Sequence, residues 1–330
     1  MMPEIYGTLG PSCCDTDTLC AMLDAGMTGM RLNLSHITLH DAAEEIESLR
    51  RAAERRGTKP QLLIDLQGPE LRIGALQRPL ILSTAEDVLL GPGGIPVPEI
   101  VIPALIPGQH ILLDDGKLLL ETVGPGKNGI TARVIRGGTL QSRKSIALPG
   151  CSFHTPPLTE QDLLNLAHAE DYGVTGVMQP FVRSRADLSA VRAALDKNGG
   201  QRIRLFAKIE NREGLEHLDE LIPACDEIVI ARGDLGNSMP LWELPRVQKE
   251  ISAKCRAAGR DFMVVTQMLS SMEHSAVPTR AEVSDIFNAV CDGAASVMVT
   301  GETAAGDYPV EAIRFLANTA KEAAEYLKNI

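Results

Sequence analysis

The sequence predicts an α/β chain, a (β/α)8 TIM barrel with a small all-β lid domain inserted after the third strand. Three observations predict it. Eight short β-branched or aliphatic runs alternate with amphipathic helical patterns across residues 1–72 and about 150–330, the texture of a parallel sheet covered by helices. That alternation also fits a doubly wound open sheet, and the number eight is what favours closure. Helical periodicity stops after the third run, and residues 73–148 carry a different, β-rich texture. A length of 330 residues holds one large barrel or about two average domains.

The strand candidates are residues 5–8, 29–33, 62–65, 174–178, 204–208, 227–231, 262–266 and 295–300. Each except the third is followed by a helical pattern. Ile46, Leu49 and Ala53 share one helical face, as do Leu188, Val191 and Leu195. Val310, Ile313, Ala317, Ala320 and Ala324 mark a last helix by the same spacing. Within 73–148 the run Gly91-Pro92-Gly93-Gly94 and Pro96, Pro98, Pro103 and Pro107 break any helix. Strand-like pieces surround them at 80–83, 111–113, 118–123, 130–135 and 145–148. The expected division is a discontinuous barrel domain at 1–72 and 149–330 and a β-rich lid at 73–148. Barrel active sites lie at the C-terminal strand ends, so an insertion after the third strand is well placed to cover one.

Composition excludes several functions. Forty-three acidic against 32 basic residues leave a formal net charge of -11, which offers no electrostatic footprint for nucleic acid or for an anionic membrane surface. No apolar run approaches a membrane span. The first residues lack the basic and apolar regions of a signal peptide. Seven cysteines without metal-ligand spacing fit a reducing compartment, so the expected location is the cytoplasm.

Polar residues concentrate where the strands end. Arg31–His36, Asp65–Arg72, Lys208–Asn211, Arg232–Gly236, Thr266 and Gln267, and Thr300–Gly306 follow six of the strand candidates, and a closed barrel brings such ends to one mouth. Glu210 and Asp234, from neighbouring strands, can give two oxygen ligands to a hard divalent cation. Lys208 shares side-chain parity with Glu210, which sets an ammonium beside that cation. Arg31 and Arg72 add fixed positive charge suited to phosphate. The turn at residues 233–236 can offer backbone N–H groups to a carboxylate or phosphate. Singly, these residues fit surface ion pairs or helix caps; together they describe an anion-handling barrel that transfers phosphoryl groups or stabilises an enolate.

These motifs, in this order, resemble the pyruvate kinase family across nearly the whole chain. The resemblance runs through Thr8-Leu9-Gly10-Pro11-Ser12, Arg31–His36, Asp65–Arg72, Leu112–Gly116, Ala207–Asn211, Ala231–Gly236, Thr266–Met272, Pro278–Glu282 and Gly301–Pro309. It implies phosphoryl transfer from phosphoenolpyruvate to ADP, the last step of glycolysis. Glu210 and Asp234 would bind magnesium or manganese. Gly233, Asp234 and Thr266 would hold the substrate carboxylate, and Lys208 would neutralise the phosphoryl group and the enolate. Thr266 would serve in proton delivery, and Arg31 matches a substrate-contacting position. Arg31, His36, Arg72 and Lys144 match nucleotide- or phosphate-contacting positions. Asn33, Ser35, Asp65 and the carbonyl of Leu66 match potassium ligands, and Glu70 matches the acidic residue of potassium-requiring members.

Three positions depart from the family pattern. Pro180 stands where a serine is common, Ser238 where a glutamate is usual, and Gln67 where lysine is more frequent. The lid is expected to be shorter than usual and the family's C-terminal domain to be absent. With that domain its effector site would be missing, leaving a homo-oligomer such as a dimer or another reduced assembly. Two other readings stay open here: a different enzyme of phosphoenolpyruvate or 2-oxo-acid enolates, and a non-catalytic pyruvate kinase-like paralogue.

Overall fold

A computed structural model describes residues 2–329 except 36, 115, 152 and 154. Among the described residues eight parallel strands close a barrel: β1 (Glu4–Thr8), β2 (Gly29–Asn33), β3 (Gln61–Asp65), β4 (Gly176–Gln179), β5 (Arg204–Ile209), β6 (Glu227–Ala231), β7 (Asp261–Val265) and β8 (Ser296–Met298). Each pairs with its neighbours in chain order, and β8 closes on β1. Tyr6, Leu63, Phe206 and Met263 point inward from the odd-numbered strands and are buried, together with Met178, Val229 and Met298 from the even ones. This is the layered filling of a closed barrel by alternate strands.

The strand limits differ from the sequence expectation for local reasons. β4 begins at Gly176 because Thr175 turns its hydroxyl into the ladder, accepting from the Leu62 amide at 2.9 Å and donating to the Leu62 carbonyl at 3.1 Å. β7 ends at Val265 because Thr266 takes a left-handed φ of 71°. The third βα unit does have a helix, Glu160–Ala167, displaced past the insertion. Thr159 caps it, with Asp162 completing the reciprocal box. In helix Ala43–Arg56 the buried face is completed by Ala52 rather than Ala53. In helix Pro309–Lys328 it runs through Ala312, Ile313, Leu316, Ala320 and Ala323, with Val310 and Ala317 at its margin. A helical step of 100° allows either reading, and packing against the barrel decides between them.

The second compact unit comprises Pro69–Thr155 and Gly236–Trp242. It contains a five-stranded antiparallel sheet in the spatial order Ile146–Ala147, His110–Leu113, Leu118–Gly126, Gly129–Arg136 and Asp87–Leu90. A two-stranded ribbon pairs Leu80–Leu82 with Gly138–Leu140, and a 3-10 helix spans Glu99–Ala104. The unit has its own core, in which Leu90, Val101, Ile111, Leu113, Leu120, Val134 and Leu140 are buried. Its segment 236–242 follows β6 in the chain, an addition that residue order does not suggest. That segment ends on Trp242, which is 83% exposed.

At the N-terminal ends of the strands lies a polar cluster. Tyr6 donates to Glu4 Oε2 at 2.6 Å, and Arg204 bridges Glu4 at 3.2 Å and Glu227 at 2.6 Å. Ser296 donates to the other oxygen of Glu227. Burial drives the Glu227 carboxyl up to about 7, against the opposing pull of Ser296 and Arg204.

Candidate active site

Parity builds the site. Two residues beyond Tyr6, Leu63 and Phe206 on the same strands stand Thr8, Asp65 and Lys208, so the layer above the apolar filling is polar. Arg31 occupies the same position above Gly29 on β2. Asp65 is the hub. It accepts from Arg31 Nε at 2.9 Å and Nη2 at 2.7 Å, and from Lys208 Nζ at 2.9 Å. Lys208 also meets Glu210 Oε1 at 3.0 Å, and its side chain is only 12% exposed. The remaining Glu210 oxygen accepts the Phe181 amide at 2.7 Å. Burial disfavours the Lys208 ammonium, but the Asp65 and Glu210 charges outweigh it and hold its pKa above the ordinary lysine value. Burial likewise opposes ionisation of Asp65, and Lys208 and Arg31 reverse that, keeping its carboxyl below the usual range. Lys208 is therefore a fixed positive charge and not a base.

A second group forms where β6 and β7 end. The Gly233 amide donates to Thr266 Oγ1 at 2.7 Å, and that hydroxyl donates to the Val265 carbonyl at 2.6 Å. Asp234 follows in helix Arg232–Asn237. Arg232, which sequence reasoning left without a role, is buried and donates to the carbonyls of Thr266 at 2.8 Å and Gln267 at 3.1 Å. Its Nη1 pairs with Asp285 at 2.6 Å. Two further carboxylates were missed. Asp162 accepts the Gln67 and Gly68 amides at 2.9 and 3.0 Å, and Glu302 accepts the Leu269 and Thr300 amides at 3.1 and 2.7 Å. The contacts to Gln67, Gly68 and Leu269 are long-range and residue spacing does not reveal them, whereas the Thr300 amide lies only two residues from Glu302. Pro180 packs on Gly68, whose φ of 60° and 2.5 Å clearance leave no room for a Cβ.

The predicted cation ligands fit by donor chemistry. Among the described residues no three His, Cys, Asp or Glu side chains gather into one group. Glu210 and Asp234 would offer hard carboxylate oxygens of the type magnesium takes, with water and substrate completing its shell. The backbone pairing sets Asn33 opposite Asp65, which brings two of the predicted potassium ligands side by side. Asn33 Oδ1 accepts the Ser35 amide at 3.1 Å, and Ser35 and the Leu66 carbonyl add two more hard oxygens. The Asp65 carboxylate is shared with Arg31 and Lys208, which the sequence did not foretell. His36 lies outside the described residues. Arg72 and Lys144 belong to the second unit. There a backbone bridge sets Arg72 opposite Ser145, Arg72 pairs with Glu70 at 2.5 Å, and Lys144 pairs with Asp114 at 2.9 Å.

The fold and site define a (β/α)8 barrel with an interrupted third unit and a cation–carboxylate cluster at its C-terminal strand ends. The family model described as pyruvate kinase, barrel domain, matches residues 2–91 and 95–313. The chain belongs to the pyruvate kinase family. It is 36% identical to a pyruvate kinase of Bacillus licheniformis over 99% of this chain and 58% of that protein. It is 37% identical to one of Geobacillus stearothermophilus over 99% and 57%. Against the Homo sapiens protein named pyruvate kinase PKLR it is 38% identical over 97% and 59%. The chain thus spans less than two thirds of the length of these relatives. Among the described residues no helix is long and apolar enough to cross a membrane.

Proposed function

We propose that the chain transfers the phosphoryl group of phosphoenolpyruvate to ADP, giving pyruvate and ATP. The observation that carries this is Lys208, a buried ammonium kept charged by Asp65 and Glu210 at the barrel's C-terminal strand ends. In the reaction the bond between phosphorus and the enol oxygen breaks, and a β-phosphate oxygen of ADP forms the new one. Lys208 supplies positive charge to the phosphoryl group in flight and to the enolate it leaves behind. Asp65 orients Lys208 and Arg31 together, so both cations are positioned before substrate arrives. The Gly233-Asp234 turn is assigned to the substrate carboxylate through the Asp234 amide, since the Gly233 amide is bonded to Thr266 Oγ1, and the Thr266 hydroxyl to the route by which a proton reaches the enolate carbon. A divalent cation on Glu210 and Asp234 would neutralise phosphate charge, and potassium on Asn33, Ser35, Asp65 and Leu66 would add a monovalent charge nearby. Arg72 and Lys144 are assigned to nucleotide phosphates, and the β-rich unit to the role of a lid.

The reading also includes a homo-oligomeric enzyme of the cytoplasm with phosphoenolpyruvate and ADP as substrates. The test is pyruvate formation in a coupled assay at saturating magnesium, with and without potassium. ADP-dependent turnover stimulated by potassium is expected. Its absence overturns the reading, and proton exchange into pyruvate without phosphoryl transfer would instead assign an enolate enzyme.

A further inference from the structure

We propose that Arg232 and Asp285 form a positioning pair that holds Thr266 in its working geometry and so sets turnover rather than substrate affinity, an inference that rests on the phosphoryl-transfer reading above. Thr266 has φ 71° and Gln267 φ 54°. For a β-branched residue this backbone is a true outlier, and it persists only where its surroundings over-determine it. Those surroundings are visible. The Arg232 guanidinium donates to the Thr266 carbonyl through Nε at 3.1 Å and Nη2 at 2.8 Å, and to the Gln267 carbonyl at 3.1 Å. The next residue, Gly233, donates its amide to Thr266 Oγ1 at 2.7 Å. Two consecutive residues after β6 therefore grip Thr266 at both ends, one at its backbone and the other at its hydroxyl.

Asp285 completes the device. It lies on helix Arg280–Cys291 and accepts from Arg232 Nη1 at 2.6 Å. A nearly buried guanidinium facing only carbonyls would lack a counter-charge, and Asp285 provides it. The fork geometry is specific to arginine, because a lysine cannot span two successive carbonyls and a carboxylate at once. Neither side chain is assigned to substrate, so their influence passes through Thr266.

A double-mutant cycle tests this. The quantities measured are kcat, KM for phosphoenolpyruvate, proton exchange into the pyruvate methyl group, and the thermal midpoint. They are compared for wild type, Asp285→Asn, Arg232→Lys, Thr266→Ala and the combination of Asp285→Asn with Thr266→Ala. Asp285→Asn is expected to lower kcat and proton exchange about tenfold, with KM within about twofold. In the Thr266→Ala background the same change should cost less than about twofold, because the group it positions is gone. An equal loss in both backgrounds overturns the inference, as does unchanged kcat in Asp285→Asn or a loss confined to KM. Arg232→Lys separates fork from charge: recovery of wild-type kcat would also count against it. A wild type without turnover fails the functional reading first, and the inference falls with it. An active wild type with an additive cycle fails the inference alone.

Discussion

Lys208 is where burial and charge compete most directly. Desolvation alone would drive its ammonium towards neutrality, yet Asp65 and Glu210 at 2.9 and 3.0 Å prevail. Lys208→Met is expected to lower kcat by about 10³-fold or more, since it removes charge that matters most in the transition state. Manganese affinity, read by water-proton relaxation, should change by less than about threefold. Because Asp65 is held below the usual carboxylate range and Lys208 above the usual lysine range, this cluster keeps its charge at neutral pH. The kcat profile should therefore show no inflection from it between about pH 5 and 9. Parity along a strand made Lys208 and Glu210 legible as neighbours. The position of Asp65 as the common partner of Lys208 and Arg31 was not legible, because β4 separates β3 from β5 in the sheet and only closure brings the Asp65 and Lys208 side chains together.

At the scale of elements, helix Glu160–Ala167 does more than cover β3. Its Asp162 completes the capping box with Thr159 and also accepts the amides of Gln67 and Gly68. Asp162→Ala is expected to destabilise the folded chain by about 2–4 kcal/mol, from a lost cap and from one buried and one half-buried amide left without acceptors. Urea unfolding of both proteins measures it. The cap itself can be read from the threonine and aspartate three residues apart. The second use of the same carboxylate cannot, because Gln67 and Gly68 lie on the far side of the β-rich segment in sequence. The strands Asp87–Leu90 and Gly138–Leu140 escaped for a similar reason: short runs beside glycines carry little periodicity, and their pairing partners define them.

For the whole molecule, the polar cluster at the opposite end of the barrel sets a pH dependence of stability. The Glu227 carboxyl is raised from 4.5 to about 7 by burial, so between those values the folded chain binds a proton that the unfolded chain has released. Stability therefore falls as pH rises through that window, by up to ~3 kcal/mol. Glu227→Gln should abolish the decline, as followed by denaturant midpoints at stepped pH. The carboxylates held low, such as Asp65, act in the opposite sense only in more acidic solution. The eightfold alternation made the barrel legible and the break in helical periodicity made the insertion legible. The joining of segment 236–242 to the second unit was not, since it depends on contacts far apart in sequence. That segment has an optical consequence. The chain has a single tryptophan, Trp242, which is strongly exposed there, while the barrel filling is mainly aliphatic and sulfur-containing. Its emission reports hydration around one surface loop, so a fluorescence melt and a circular-dichroism melt of the same sample follow different parts of the protein.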